Sequence, residues 1–249
     1  MKTLLALGLV GLSFAALSAS ALDSTPSKAG LVVAVGGGGT PDEVIAHVAT
    51  LAGGKDARVL VLPQASESGD GQSSAAMWRE QGAGEATVLS DLAAPDAKER
   101  IARANVIWMP GGVQSRLMER LGEHGLIEAV QAAHANGATV GGTSAGAAVL
   151  SAVMISGQPE PGALRSGAME ALTGLGLLPW AIVDQHFVER DRLARLLTAV
   201  IDHPALIGVG VSEGTAALVD GQAITVMGRG HVLLYDARAA AVSAAARAS

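Results

Sequence analysis

The sequence predicts one α/β domain: a three-layer arrangement with helices around a mostly parallel central sheet that ends in an antiparallel C-terminal edge. Three observations carry this. Leu31–Val35 is a continuous apolar run, as a strand buried on both faces is, and apolar-rich strands recur at 58–62, 105–109 and 138–141. Helical stretches of about 10–15 residues lie between them, the spacing of βαβ crossovers. After residue 206 the pattern changes to strands joined by short turns, one of them marked by Asp220-Gly221.

Taken in order, Leu31–Val35 is the first strand, and four glycines, Gly36–Gly39, follow it. Thr40, Pro41 and Glu43 then have the spacing of a capping box, with Thr40 as N-cap, and Gly53-Gly54 close the helix they open. Arg58–Leu62 is the second strand, followed by a polar loop over Gln64–Ser74 and a short helix over Ala75–Gln81. Glu85–Leu89 is the third strand, Pro95–Ala104 a helix, and Asn105–Met109 the fourth strand. A helical pattern covers Leu126–Asn136 and feeds the strand Ala138–Gly141, with helical Ala147–Leu150 beyond. Ala181–Asp184 is a strand and Glu189–Ile201 a helix; strands follow at Ile207–Val211, Ala216–Val219 and Ile224–Val226. Val232–Tyr235 is expected to close the sheet at its antiparallel edge, with an Ala-rich tail, 237–249, as a fraying helix. The glycine run does not make a dinucleotide site. It lacks the G-x-G-x-x-G spacing and a P-loop lysine, and the second strand ends in Leu62-Pro63 rather than an acid. A close backbone approach to a ligand or a neighbouring loop is the better use of it.

Composition removes several function classes. The 249 residues suit one domain, and 49% hydrophobic with 16% charged residues excludes a disordered chain. Aromatic content of 2% and a formal charge of −6 argue against nucleic-acid binding. With no cysteine there is no disulfide, thiol nucleophile or cysteine-held metal, and no H-E-x-x-H motif is present, so neither a metal nor another cofactor is expected. Residues 1–21 have the three parts of a secretory signal peptide: Lys2, an apolar run from Leu4 to Leu17, and Ala19-Ser20-Ala21 as a cleavage site. The run is shorter than the roughly 20 residues that span a bilayer. The expected mature chain is a single domain over 22–249, secreted or periplasmic and free of the membrane.

The strongest local signal is Gly142-Thr143-Ser144-Ala145-Gly146, between an apolar strand and a helical stretch. G-x-S-x-G in that place is the nucleophile elbow, in which a strained turn lifts the serine hydroxyl to the sheet edge. The turn also aims the Ala145 N–H toward a developing oxyanion. Of six histidines, His47 and His134 fall on helix bodies, His124 and His203 in turns, and His231 at the start of the last strand. His186 alone ends an apolar strand, in Asp184-Gln185-His186-Phe187, where catalysis gathers in an open α/β sheet. Glu213 follows another apolar strand. Ser144, His186 and Glu213 could thus supply nucleophile, base and orienting acid. Arg190, Arg192 and Arg195 cluster just after the histidine, as guanidinium forks that read carboxylates or as a solvated helix face paired with Glu189 and Asp191.

At these residues the chain resembles cyanophycinase-like exopeptidases: Gly-Gly-Thr-Ser-Ala-Gly-Ala-Ala, Asp-Gln-His-Phe with the three arginines, and the Glu-x-Thr-Ala segment, within a similarity running from about Gly30 to Asp236. That group shares a peptidase family with aspartyl dipeptidase, on a flavodoxin-like sheet related to class I glutamine amidotransferases. The resemblance implies Ser144 as nucleophile, His186 as general base and Glu213 as its acid. It implies a pocket of Gln114, Asp184, Gln185, Arg190, Arg192 and Arg195. Met109-Pro110-Gly111-Gly112 matches the loop beside the nucleophile, with Gly112 as second oxyanion donor. Val113 and Ser212 stand where the family often carries acids, a departure that bears on the substrate and leaves the triad intact. The implied activity is removal of β-Asp-Arg units from cyanophycin or a related isopeptide. An exported Asp-specific dipeptidase and a non-catalytic periplasmic binding protein on this fold are the alternatives. The expected partner is a peptide or polymer, with a homodimer left open.

Overall fold

A computed structural model describes residues 29–67, 70–157 and 167–240. The predicted signal peptide and the tail from residue 241 lie outside them. The strands are β1 (Val32–Val35), β2 (Arg58–Val61), β3 (Glu85–Val88), β4 (Val106–Met109), β5 (Thr139–Thr143), β6 (Val153–Ile155), β7 (Ala171–Thr173), β8 (Ala181–Gln185), β9 (Ile207–Val211), β10 (Thr215–Asp220), β11 (Ala223–Gly228) and β12 (Val232–Asp236). The helices are α1 (Asp42–Leu51), α2 (Gln72–Glu80), α3 (Ala97–Arg103), α4 (Gln114–Glu123), α5 (Ile127–Ala135), α6 (Ala145–Ala148) and α7 (Leu193–Asp202).

The central sheet has seven strands in the order β11-β10-β1-β5-β4-β2-β3. Five are mutually parallel, and β10 and β11 extend the β1 side as an antiparallel hairpin. Alternation along each strand divides the core in two. Val32, Leu60, Ile107, Met109 and Val140 face one side, against Ile101 of α3, Leu117 of α4 and Val130 of α5. Val33, Val35, Val59, Val61 and Trp108 face the other, against Val44, Ile45 and Val48 of α1 and Trp78 of α2. The Trp78 and Trp108 rings meet edge to face with centroids 5.3 Å apart, a geometry worth about 1 kcal/mol beyond the area it buries. The predicted three layers are present.

Several expectations change. No side-chain cap forms at Thr40; Pro41, with ψ at 135°, is the N-cap, and its carbonyl accepts from Val44 and Ile45. Extended Pro41 leaves Thr40 one residue too early to reach the orphan N–H groups of the first turn. Helix α2 starts at Gln72, three residues before its expected place, because Gly71 takes a left-handed turn (φ 74°). The amphipathic helix α4 and the antiparallel β6–β7 pair went unpredicted. The sheet is also divided: β12 does not close it but pairs antiparallel with β9, which runs parallel to β8, as a separate three-stranded sheet. That sheet packs on α7 through Ile182, Phe187, Leu196, Ala199 and Val200, a third small core. No helix among the described residues is long and apolar enough to cross a membrane.

Candidate active site

The centre of the sheet positions Ser144. Strand β5 lies between β1 and β4, and the chain leaves β1 toward one face and β5 toward the other. Such a divergence opens a crevice at the carboxyl ends of the strands, where ligands of open α/β sheets bind. Ser144 follows β5 at that edge of the sheet with φ 54° and ψ −113°, held by its N–H on the Val35 carbonyl at 3.0 Å. The flanking glycines are obligatory for packing. A Cβ on Gly142 would stand 2.3 Å from the Met109 carbonyl oxygen, and one on Gly146 1.9 Å from the same atom. The elbow is thus pressed against the end of β4.

His186 comes from the end of β8 and Glu213 from the end of β9. The His186 ring bonds Ser144 Oγ through Nε2 at 2.9 Å and Glu213 Oε1 through Nδ1 at 2.5 Å. The His186 side chain is 9% exposed and that of Glu213 35%. His186 has φ 51°, uncommon for a non-glycine residue. It is kept there by its own N–H on the Gly36 carbonyl (2.6 Å) and the Phe187 N–H on Val211 (3.1 Å). The glycine run seats the ring: a Cβ on Gly37 would lie 2.2 Å from His186 Cε1, and one on Gly38 2.6 Å from a Glu213 carboxylate oxygen. The expected close approach is to neighbouring segments, the one after β8 that carries the histidine and the one after β9 that carries the acid.

Gly111 and Gly112 follow β4, with Gly111 beside Ser144. A Cβ on Gly111 would stand 3.4 Å from Ser144 Cβ, whereas Gly112, at φ 147°, would strike the Ala65 carbonyl at 2.3 Å. The turn is fixed from behind by the Val113 N–H on that carbonyl at 2.9 Å. Ala145 is the first residue of α6 and fully buried.

The arginines behave differently from a three-forked carboxylate reader. Arg195, 2% exposed, lies against Asp184, 1% exposed, with Nε donating to Oδ2 at 2.7 Å and a terminal nitrogen to Oδ1. Arg192 donates to the carbonyl and side-chain oxygen of Gln185 at 2.6 and 2.8 Å. Both guanidinium groups are engaged within the protein. Arg190, exposed, is the one of the three that faces solvent. The helix begins only at Leu193, so 190 and 192 belong to the turn before it. Gln114, 5% exposed at the start of α4, donates to the Ile155 carbonyl at 3.0 Å beside Gly157. Asp184 thus meets Arg195 in a two-bonded pair. Among the described residues no group of His, Asp and Glu is clustered as a metal site.

Fold and site together define a serine-type peptidase on an α/β sheet. The chain belongs to peptidase family S51, whose model matches residues 31–227. It is 38% identical over 221 residues to a cyanophycinase from Synechococcus elongatus, covering 84% of this chain and 69% of that one. A cyanophycinase from Geminocystis herdmanii (strain PCC 6308) is 35% identical over 206 residues, 79% and 76% of the two chains. In structure, a peptidase from an acI-B1 Actinobacterium superposes with a TM-score of 0.65 at 21% identity, over 85% and 92% of the chains. A putative peptidase E protein from Listeria monocytogenes EGD-e gives 0.61 at 14% identity, over 81% and 100%. Both share the fold.

Sequence reasoning missed what holds the site. The seating of His186 on Gly37 depends on contacts between residues about 150 positions apart, although four glycines after a strand signalled a close approach. Glu189, read as a partner for the arginines, instead accepts the Glu213 N–H at 3.0 Å.

Proposed function

We propose that this chain is an exported serine exopeptidase that hydrolyses cyanophycin, or a closely related β-aspartyl isopeptide, to β-Asp-Arg dipeptides. The hydrogen-bonded line from Ser144 through His186 to Glu213 carries the reading. His186 Nε2 takes the hydroxyl proton as Ser144 Oγ adds to the scissile carbonyl, and Glu213 stabilises the imidazolium that forms. The Ala145 and Gly112 N–H groups receive the oxyanion. Collapse breaks the C–N bond, His186 passes its proton to the leaving amine, and an acyl-enzyme remains on Ser144. Water, deprotonated by the same imidazole, adds to the acyl carbon and releases the acid with Ser144 restored.

The curated cyanophycinases support the substrate class. In this reading exposed Arg190 meets a substrate carboxylate, with Gln114 and Gln185 lining the pocket, while the Arg195–Asp184 and Arg192–Gln185 pairs hold the loop that presents it. Export rests on the pattern of residues 1–21. The test is incubation of purified protein with cyanophycin and with casein, with identification of products. Release of β-Asp-Arg and little casein cleavage is expected, and Ser144→Ala should lower the rate by about 10⁴-fold or more. Equal cleavage of casein would discard the substrate, and full activity of Ser144→Ala would discard the nucleophile. N-terminal sequencing of the secreted protein should begin near Leu22; a chain still starting at Met1 would discard export.

A further inference from the structure

We infer that Glu189 is a positioning residue that locks the His186–Glu213 pair by bracing the main chain of Glu213; the inference rests on the Ser144 nucleophile reading above. His186 and Glu213 stand on two separate segments, the first following β8 and the second following β9. A base and its orienting acid work only while their segments keep a fixed separation. Displacement of a reacting group by about 1 Å can cost roughly a hundredfold in rate. Glu189 lies three residues beyond His186, in the turn whose Arg190 N–H returns to the His186 carbonyl at 3.0 Å. From there its carboxylate crosses to the other segment and accepts the Glu213 N–H at 3.0 Å.

The main chain of the acid is thereby tied to the segment of the base. The neighbouring ties, Phe187 N–H to Val211 and Gly214 N–H to Gly37, fix the strand end and the next residue. The Glu189 bond acts on Glu213 itself. A carboxylate accepting an amide N–H makes a charge-assisted bond, stronger than a neutral one. The side chain is solvent-exposed, so little packing is lost on replacing it.

The experiment follows labelling of Ser144 by a fluorophosphonate, which reports activation of the hydroxyl irrespective of peptide substrate. The full chain is compared with Glu189→Ala and Glu189→Gln. The alanine variant is expected to label about tenfold more slowly with unchanged thermal midpoint, and to lower kcat on cyanophycin with KM little changed. Glutamine, whose side-chain oxygen can still accept the N–H, should stay within about threefold of the parent. In the parent, the Nδ1 proton between His186 and Glu213 should give a low-field NMR resonance, kept in Glu189→Gln and shifted upfield or lost in Glu189→Ala. Parent-like labelling and resonance in Glu189→Ala overturn the assignment. So does a glutamine variant as slow as alanine, since the bond and not the charge is the brace. A parent that never labels overturns the nucleophile reading, and the role of Glu189 falls with it.

Discussion

Removing Arg195 should destabilise the protein more than any exposed arginine could, and the structure sets the size of the loss. Arg195 and Asp184 are 2% and 1% exposed and share two hydrogen bonds in a fork. Arg195→Ala strands a buried carboxylate, a change that ordinarily costs about 3–5 kcal/mol. Asp184 would retain the Gln185 N–H at 2.8 Å and have the Arg192 guanidinium 3.8 Å away, so the lower figure, about 3 kcal/mol, is expected. For a chain of this size that lowers the thermal midpoint by about 6–12 °C. Arg195→Lys keeps the charge and gives up one arm of the fork, a loss of about 1.5–3 kcal/mol. Asp184→Leu combined with Arg195→Met leaves no unpaired charge and should recover to within about 1 kcal/mol of the parent. Urea unfolding followed by tryptophan fluorescence measures all three. An Arg195→Ala variant within about 1 kcal/mol of the parent would refute the pairing argument and return Arg195 to the substrate.

Gly37→Ala should lower the rate by about a hundredfold or more, because its Cβ would stand 2.2 Å from His186 Cε1 at a φ of +96°; fluorophosphonate labelling at the parental rate would contradict it. Burial holds the His134 imidazole below its ordinary 6.5, with a bond to the Ala138 carbonyl partly opposing the shift. The fold therefore prefers neutral His134. Its contribution is complete above about pH 6.5, where the unfolded chain is neutral too, and is lost as pH falls toward the folded value. His134→Gln should bring the urea midpoints at pH 7.5 and 5.5 closer together than in the parent; an unchanged gap would count against it. Excess chelator should leave hydrolysis unaffected, because in the proposed mechanism the nucleophile is activated by His186; a loss restored by added metal would refute that mechanism.

The parallel core was legible because buried parallel strands announce themselves by composition: Val32–Val35, residues 59–62 and Val106–Met109 are short apolar runs, ended by Gly36, Pro63 and Pro110. Helix α4 was not, since Gln-Ser-Arg-Leu-Met-Glu-Arg-Leu-Gly-Glu places only Leu117, Met118 and Leu121, with Gln114, in the interior. Its first turn carries no cap, and Val113 is the N-cap without a side-chain bond. The split of the C-terminal strands into two sheets was equally hidden. Strands β9, β10 and β12 have similar apolar character, and nothing local says that β10 pairs with β1 while β12 pairs with β9. Partner choice is a long-range property.

The second sheet is also what makes the site. Strands β8 and β9 are parallel and in register, Asp184 opposite Gly210 and Gln185 opposite Val211, so both end at one level. The residues that leave them, His186 on one side and Ser212-Glu213 on the other, must then emerge together. Main-chain bonds from His186 N–H to Gly36 and from Gly214 N–H to Gly37 fasten that pair of ends to the loop after β1, beside the elbow that follows β5. A slip of one residue between β8 and β9 would carry Glu213 about 3.3 Å along the strand and turn its side chain to the other face. The 2.5 Å contact with His186 could not survive it. Three chemically apt residues at three strand ends could be picked out by inspection of the sequence. That they meet follows from the register of a strand pair, which the sequence pattern does not specify.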